Sequence, residues 1–242
     1  MMRTEARQSD RFQRARAALR QAEAQWRPDP ADARARRFPV PLGDRDIVEI
    51  PWAALHHVEG LPGDAAATDF ALTIVRQGMK SHGRGKPLFW IAAPDSLDSG
   101  RLYPPALPAD LAAQTIFVDA PRPREGFWAL EEVLRSGQAA AAVAELPTPD
   151  TTAGRRLQLA AEDGGCLAVL LTLAPRRGVS APPNPARSRW RVASRPDGTV
   201  IRLIRGQGLR PGDWRIDHAR TPVSLHLAAA AGDGPLYPQA AA

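Results

Sequence analysis

The chain has 242 residues, of which 44% are hydrophobic and 24% charged, and this composition excludes a wholly disordered protein. Cys166 is the sole cysteine, which excludes an internal disulfide and a cysteine-built zinc site. No stretch approaches the roughly 20 apolar residues that span a bilayer, and residues 1–37 are too polar for a signal peptide. These features predict a cytoplasmic protein with one main domain and no membrane association.

Charge is distributed unevenly along the chain. Residues 1–37 hold ten Arg against five acids, residues 38–173 hold eleven Lys or Arg against seventeen acids, and residues 174–242 hold eleven Arg against four, giving +5, −6 and +7. Basic ends suit nucleic acid or an acidic partner surface. Only two of the 32 basic residues are Lys, so the excess of Arg also fits a bias in genome composition.

Residues 9–27 predict an amphipathic helix. The hydrophobic residues that share one narrow stripe at heptad spacing are Phe12, Ala15, Leu19, Ala22 and Trp26. The prolines and arginines of residues 28–37 then predict the end of this helix and a linker to the core. A stripe this narrow suits docking on a partner or on the protein's own core, and both alternatives remain open. Phe12, Leu19 and Trp26 are the candidate partner-binding residues.

From about residue 48 the chain alternates strand-like apolar runs with helical patterns. This order predicts an α/β fold in which helices cover both faces of a mostly parallel sheet. The predicted strands are Leu88–Ala93, Thr115–Val118, Ala139–Glu145 and Cys166–Thr172. The predicted helices cover residues 65–79, 126–136 and 152–163, with Gly137 and Gly164–Gly165 as C-terminal stops.

After Ala174 the composition changes to a Pro-rich basic loop that leads into a strand-rich region. Strands are predicted near Trp190–Ala193 and Thr199–Ile204, joined by a Pro-Asp-Gly turn, with further strands at Trp214–Asp217 and Val223–Leu227. The last residues lack a packing pattern and are expected to be flexible. The predicted organisation is a basic helix and linker over residues 1–37, a core over residues 38–227 and a tail over residues 228–242.

A nucleotide-binding loop of the Walker A type would lie between the first strand and the first helix, within HVEGLPGDAAATD at residues 57–69. The working pattern G-x-x-x-x-G-K-[ST] needs glycines, a lysine for the outer phosphates and a hydroxyl for magnesium. Gly60 and Gly63 remain, and Thr68 either supplies the hydroxyl or bonds the local backbone. Alanines replace the lysine, and Asp64 adds negative charge beside the expected phosphates. The degenerate loop predicts no ATP hydrolysis, no cofactor and no metal.

Other candidate sites are less specific. His56 and His57 are adjacent, so on a strand they point to opposite faces and do not predict a metal site with Glu59. Arg155 and Arg156, near the start of a predicted helix, fit a capping turn with solvated side chains.

The most specific segments of the core are FALTIVRQGMKSHGRGKPLFWIAAPDSLDSGRLYPPAL, WALEEVLRSGQAAAAVAEL, and TAGRRLQLAAEDGG followed by RSRWRVA. Through them, most of residues 48–205 resembles RecA and, more closely, the ImuA family of RecA-like accessory proteins of bacterial damage-induced mutagenesis. The resemblance implies a RecA-like P-loop NTPase-type core. In RecA an acid follows the strand that matches Leu88–Ala93, and here that place is Pro94 with Asp95 beside it. The magnesium-organising acid appears as Glu145, which also fits a solvated strand-end residue.

The resemblance implies a non-catalytic accessory subunit that assembles or regulates an error-prone translesion DNA synthesis complex in the DNA-damage (SOS) response. Its implied partners are an ImuB-like Y-family polymerase homologue and an error-prone C-family DNA polymerase, with RecA and single-stranded DNA left open. The alternative is a SulA-like cell-division inhibitor that binds a tubulin-like division protein. A third interpretation is an ATPase with an unusual loop.

The loop at residues 174–189 corresponds, in this resemblance, to a loop that lines DNA in RecA. The candidate DNA-binding residues are Arg176, Arg177, Arg187 and Arg189. Arginine there neutralises phosphates, and each contact steepens the salt dependence of binding. Trp190 is the nearby aromatic residue, so base stacking is not supported, and a solvated loop remains the alternative.

Overall fold

A computed structural model of the protein describes residues 30–43, 46–83, 85–93, 102–173 and 184–216. The helices in these ranges are α1 (Pro30–Ala35), α2 (Ala66–His82), α3 (Ala109–Ala112), α4 (Pro123–Ser136) and α5 (Thr151–Gly164), with a 3-10 turn at Pro104–Ala106. The strands are β1 (Arg37–Pro41), β2 (Ile47–Pro51), β3 (Leu55–Gly60), β4 (Leu88–Ala92), β5 (Thr115–Asp119), β6 (Ala141–Glu145), β7 (Leu167–Leu173), β8 (Ser188–Arg195), β9 (Gly198–Gly206) and β10 (Gly212–Ile216). The predicted helix over residues 9–27 lies outside the described residues.

The described strands from β3 onward form one eight-stranded sheet in the order β10-β9-β8-β3-β7-β6-β4-β5. Neighbours from β8 to β5 run parallel, whereas β9 and β10 add antiparallel strands at one edge. Strand β3 lies inside the sheet, between β7 and β8. The predicted α/β class with a mostly parallel sheet is confirmed.

Helix α2 covers one face of the sheet. Its buried residues include Phe70, Ala71, Ile74 and Val75, whose i, i+1, i+4, i+5 spacing makes one apolar side. They pack with inward side chains of the strands, including Trp90, in one continuous hydrophobic cluster. The predicted helix is confirmed and extends to His82.

Helices α4 and α5 cover the opposite face. Leu130 and Leu134 of α4 are fully buried there. Asp150 caps α5, because its side chain accepts a hydrogen bond from the backbone N–H of Ala153 at 2.7 Å. Gly137 and Gly165 follow the two helices with φ of +64°, which confirms the predicted glycine stops. Since helices lie on both sides, every residue of β6 is buried, as its continuous apolar run predicts.

A hairpin of β1 and β2 packs beside α2, and the sequence analysis did not predict it. Phe38 of β1 meets Trp52 edge to face, with ring centroids 6.1 Å apart. Before the hairpin, α1 buries Ala33 in the same core, so the interpretation of residues 28–37 as a linker is wrong from Pro30 onward. The arginine-rich composition concealed this element, because the buried Ala33 lies between the exposed residues Asp32 and Arg34.

The C-terminal strands confirm the predicted β-rich extension. Strands β8 and β9 pair antiparallel around the Pro-Asp-Gly turn, and β10 pairs with β9. Trp190 of β8 packs against Phe70 at 5.2 Å and Trp214 at 6.1 Å between ring centroids, which joins the extension to α2. The strand predicted at Val223–Leu227 and the tail over residues 228–242 lie outside the described residues.

Candidate functional site

The turn between β3 and α2 lies where the sequence predicts a degenerate phosphate loop. Gly60 ends β3, and a Cβ at this position would lie 2.3 Å from the Cβ of Ala67, so only glycine lets α2 begin this close to the strand. Gly63 adopts φ of +74°, a conformation that glycine favours. Thr68 lies half-buried in the first turn of α2. The structure thus brings Gly60, Gly63 and Thr68 together in one strand-turn-helix unit.

The side chain of Asp64 closes this turn. Its Oδ1 accepts hydrogen bonds from the backbone N–H of Ala66 at 3.0 Å and from the hydroxyl of Ser194 at 2.6 Å. Its Oδ2 accepts from the backbone N–H of Ser194 at 2.8 Å, which ties the turn to β8. A carboxylate at this helix N-terminus is stabilised by the helix dipole, as a phosphate group would be. An incoming phosphate would therefore meet a fixed negative charge.

The described lysines lie away from this turn. Lys80 is fourteen residues along α2 from Ala66, which places it about 20 Å farther along the helix. Lys86 donates from Nζ to the backbone carbonyl of Gly137 at 2.6 Å, after α4. Lys86 follows a turn in which Gly85 adopts φ of +74°, and β4 begins two residues later. Neither ammonium group is therefore placed to meet phosphates after β3.

His56 and His57 of β3 point to opposite faces of the sheet, and both are bonded inside the protein. His56 Nδ1 contacts the hydroxyl of Ser188 at 2.7 Å. His57 lies between Thr172 and Asn184, with contacts of 3.0 and 2.7 Å to its two ring nitrogens. Burial lowers the pKa of His56 to about 4 and that of His57 to about 3. Both imidazoles are therefore neutral near pH 7 and act as structural bridges.

Glu59, at the next inward position of β3 after His57, binds two arginines of β8. Arg189 is 8% exposed and donates from Nε to Glu59 Oε1, while Arg191 lies 3.3 Å from Oε2. A buried carboxylate is stable here because guanidinium groups neutralise it and donate hydrogen bonds. The guanidinium of Arg189 therefore belongs to an internal ion pair, and its role in DNA binding stays a prediction.

The other predicted DNA-binding arginines differ in their surroundings. Arg187 is half-buried and donates to Glu162 of α5 and to Gln207 after β9. Arg176 and Arg177 lie outside the described residues, so their role stays a prediction. The candidate partner-binding residues Phe12, Leu19 and Trp26 also lie outside the described residues.

Glu145 ends β6 and is only 5% exposed, so the interpretation as a solvated strand-end residue is wrong. Its Oε1 accepts a hydrogen bond from the indole Nε1–H of Trp90 at 2.6 Å. Burial raises the pKa of this carboxyl group, although the bond from Trp90 acts in the opposite direction. Strand β7 separates β6 from β3, so Glu145 and the turn after β3 lie at the same edge of the sheet on strands that are not adjacent.

Of the two arginines near the start of α5, Arg155 is exposed and Arg156 pairs with a residue of the neighbouring helix. Arg156 forms an ion pair with Glu131 of α4 at 2.7 Å, and the side chain of Asp150 caps the helix.

The sequence analysis did not predict the hydrogen-bond and ion-pair partners of Asp64, Glu59 and Glu145. A charged residue in a buried strand or in the turn that follows it indicates that a partner exists, but the partners of Glu59 and Asp64 lie 130 positions away, on β8.

Within the described ranges, no helix is long and apolar enough to cross a membrane, and no group of three or more His, Cys, Asp or Glu is placed to hold a metal ion. The fold and the turn after β3 define the class of protein. It is an α/β protein with a mostly parallel sheet and a strand-turn-helix unit on an interior strand.

Sequence comparison identifies the family within that class. No protein-family model matches the chain. The chain is 34% identical over 183 residues to Protein ImuA of Caulobacter vibrioides strain NA1000, and equally to Protein ImuA of strain CB 15. The match covers 71% of this chain and 71% of each relative. The chain therefore belongs to the ImuA family.

Proposed function

We propose that this protein is a non-catalytic, RecA-like accessory subunit that assembles or regulates an error-prone translesion DNA synthesis complex in the cytoplasmic DNA-damage response. The observation that carries the proposal is membership of the ImuA family, at 34% identity over 71% of the chain. The resemblance noted above associates that family with damage-induced mutagenesis.

The strand order supports a RecA-like core. A P-loop NTPase-type unit consists of a parallel strand, a glycine-containing turn and a helix. Strand β3, the turn with Gly60 and Gly63, and α2 have this arrangement inside the sheet. Parallel strands on both sides place the turn among other C-terminal strand ends, where α/β proteins bind ligands.

The absence of catalysis is supported by the chemistry of this turn. Asp64 bonds the N-terminus of α2, and residues 61–69 contain no lysine. We expect isothermal titration with Mg-ATP to show no binding up to about 1 mM, which corresponds to a binding free energy weaker than about −4 kcal/mol. Saturable micromolar binding together with turnover would overturn the non-catalytic assignment.

The assembly role is tested by affinity capture of the tagged protein from DNA-damaged host cells. We expect an ImuB-like Y-family polymerase homologue and a C-family DNA polymerase to co-elute, and RecA and single-stranded DNA are assayed in the same eluate. A Leu19→Asp/Trp26→Asp double variant should lose these partners while the core stays folded. Loss of folding in that variant would remove the docking stripe from the proposal, and recovery of neither polymerase from the unaltered protein would remove the assembly role.

The SulA-like alternative has no observation in its favour. Both matched relatives carry the name Protein ImuA. Recovery of a tubulin-like division protein in place of polymerases would restore this alternative.

A further inference from the structure

One face of the C-terminal strands β8, β9 and β10 is rich in arginine. Because side chains alternate along a strand, the residues of these strands divide between the face that α2 covers and the opposite face. Trp190, Leu203 and Trp214 lie on the α2 side, in the hydrophobic cluster of that helix. The strand register then places four arginines together on the opposite face, and we call this set the arginine face: Arg191, Arg195, Arg202 and Arg215.

The side chains of the arginine face are accessible to a ligand. Those of Arg202 and Arg215 are 55% and 57% exposed, and Arg195 is exposed as well. Arg202 donates two hydrogen bonds to Asp213, at 2.7 and 2.6 Å. Arg215 pairs with Asp197 in the turn between β8 and β9. A guanidinium group has five N–H donors, so these ion pairs orient the two groups and leave donors for a further anion.

Acids do not neutralise this region of the protein. Residues 184–216 hold eight Arg against two Asp and contain neither Lys nor Glu. Glu59 of β3 and Glu162 of α5 also pair with arginines of this region, so eight guanidinium groups meet four carboxylates. The flanking residues outside the described ranges do not reverse this balance, since residues 174–242 together hold eleven Arg against four acids. The arginine face therefore lies in a positive potential.

The chemistry of the arginine face decides between its candidate occupants. A protein interface needs a desolvated centre with aromatic or large apolar side chains. The apolar residues between the arginines are Ala193 and Val200, both half-buried, and the exposed large hydrophobic side chains of the described residues lie on other elements. The same face of a second copy would repel it, and so would residues 1–29, which hold seven Arg against four acids. Nucleic-acid interfaces are more polar and far more positive than protein interfaces, so a polyphosphate fits best.

The size of the arginine face favours a single strand over a duplex. Arg191 and Arg195 are four residues apart on β8, which corresponds to about 13 Å, and the three strands span about 10 Å. A duplex is stiff over about 150 base pairs and does not bend to a face this small, so few of its phosphates would reach the arginines. A single strand is flexible and can bring successive phosphates to all four guanidinium groups.

We propose that the arginine face binds the phosphate backbone of single-stranded DNA. Each guanidinium group donates hydrogen bonds to phosphate oxygens. The aromatic residues of these strands, Trp190 and Trp214, lie on the other side of the sheet, so the face offers no base stacking and binding should not depend on sequence. The choice of DNA as the polyphosphate rests on the function proposed above, whereas the charge and geometry of the face do not.

The test is fluorescence anisotropy of the full chain with a fluorescein-labelled oligothymidylate of about 20 nucleotides. Four phosphate contacts to a single strand correspond to a slope of about −3 for the logarithm of the binding constant against that of the salt concentration. We therefore expect saturable binding at about 50 mM NaCl that weakens roughly fiftyfold at about 200 mM. Unlabelled competitors are a mixed-sequence single strand, its duplex and poly-glutamate, all of the same length. The mixed strand should compete as well as the oligothymidylate, and the other two at least about tenfold less well.

Two variants and a matched control locate the binding. Arg195→Gln/Arg215→Gln removes two exposed charges, so the fold should be retained. It should weaken binding at least about tenfold at about 50 mM NaCl and reduce the salt slope by about 1.4. Arg195→Gln alone should reduce the slope by about 0.7 and serves if the double variant unfolds. Arg124→Gln/Arg155→Gln removes the same charge from exposed positions of α4 and α5 and should leave the slope unchanged.

Each other outcome would overturn the proposal. Equal loss in the face variant and the control variant would mean attraction to net charge alone. Loss of binding in Arg176→Gln/Arg177→Gln but not in Arg195→Gln/Arg215→Gln would assign the DNA to the predicted loop. Equal competition by poly-glutamate would assign the face to an acidic protein, and stronger competition by the duplex would assign it to double-stranded DNA.

The test is independent of the affinity capture that tests the assembly role. A protein that does not bind the oligothymidylate at about 50 mM NaCl would refute the arginine face and leave the assembly role standing. Failure of both polymerases to co-elute, with the oligothymidylate still bound, would refute the assembly role and leave the arginine face standing.

Discussion

Acidification from pH 7 to pH 5 should destabilise this protein through His56 and His57. Burial lowers their folded-state pKa values from 6.5 to about 4 and about 3, and the charge of Arg189 adds to this effect at His57. In the unfolded chain both imidazoles titrate near 6.5. Below that pH the unfolded state binds more protons than the folded state, so the free energy of unfolding falls as the pH falls. The stabilisation is fully present above pH 6.5 and is lost progressively as the pH falls from 6.5 towards the folded-state pKa values.

The size of the loss follows from these pKa values. One pH unit within the window corresponds to about 1.4 kcal/mol for each histidine. Between pH 6.5 and pH 5 each therefore removes about 2 kcal/mol, and together they remove about 4 kcal/mol. Glu145 acts with the opposite sign, because its raised pKa makes the folded state bind a proton more readily, and this reduces the net loss. Against a typical total of about 5–15 kcal/mol, the effect is large.

The assay is urea unfolding at pH 7 and pH 5 and constant ionic strength. His57→Gln retains hydrogen-bonding groups for Thr172 and Asn184 and removes one titrating group, so the pH-dependent loss should fall by about half. Cys166→Ala is the matched control: burial raises the pKa of this thiol to about 12, so the variant should lose the same stability at both pH values. A loss below about 1 kcal/mol in the unaltered protein, or an unchanged loss in His57→Gln, would refute the reasoning.

Three further predictions concern the same edge of the sheet. Asp64→Ala should lower the free energy of unfolding by about 1–2 kcal/mol, because the hydrogen bonds to the α2 N-terminus and to β8 are lost. Isothermal titration of this variant with Mg-ATP should still show no binding. Glu59→Gln should cost about 3–5 kcal/mol by leaving Arg189 buried beside a neutral group, and Glu59→Gln/Arg189→Met should recover part of it in a double-mutant cycle; simple additivity would contradict the pairing. Gly60→Ala should cost about 1–3 kcal/mol, because the new methyl group would clash with Ala67; unchanged urea unfolding would contradict that close approach.

Much of the fold is legible in the sequence, because the sheet is buried on both faces. Continuous apolar runs mark β4, β6 and β7, and apolar spacing marks α2 and α4. Local chemistry marks the ends of helices, as Gly137 shows. The hairpin of β1 and β2 escaped prediction, since its short strands alternate exposed and buried residues among arginines and prolines.

The position of the candidate site can also be predicted from the sequence, but its hydrogen bonds and ion pairs cannot. A strand, two glycines and a helix locate the turn after β3, and the sequence shows that this turn lacks a phosphate-binding lysine. The partner of Asp64 is not visible, because Ser194 comes close only when β8 pairs beside β3.

Local composition and periodicity therefore determined the fold class, the helix ends and the absence of a phosphate-binding lysine, since each depends on residues a few positions apart. Tertiary structure alone decided that Arg189 lies inside the protein, that Glu145 bonds Trp90, and that arginines of β8, β9 and β10 share one face. The physical reason is strand register: charges from distant segments become neighbours only when strands pair, and burial then requires each of them to find a partner.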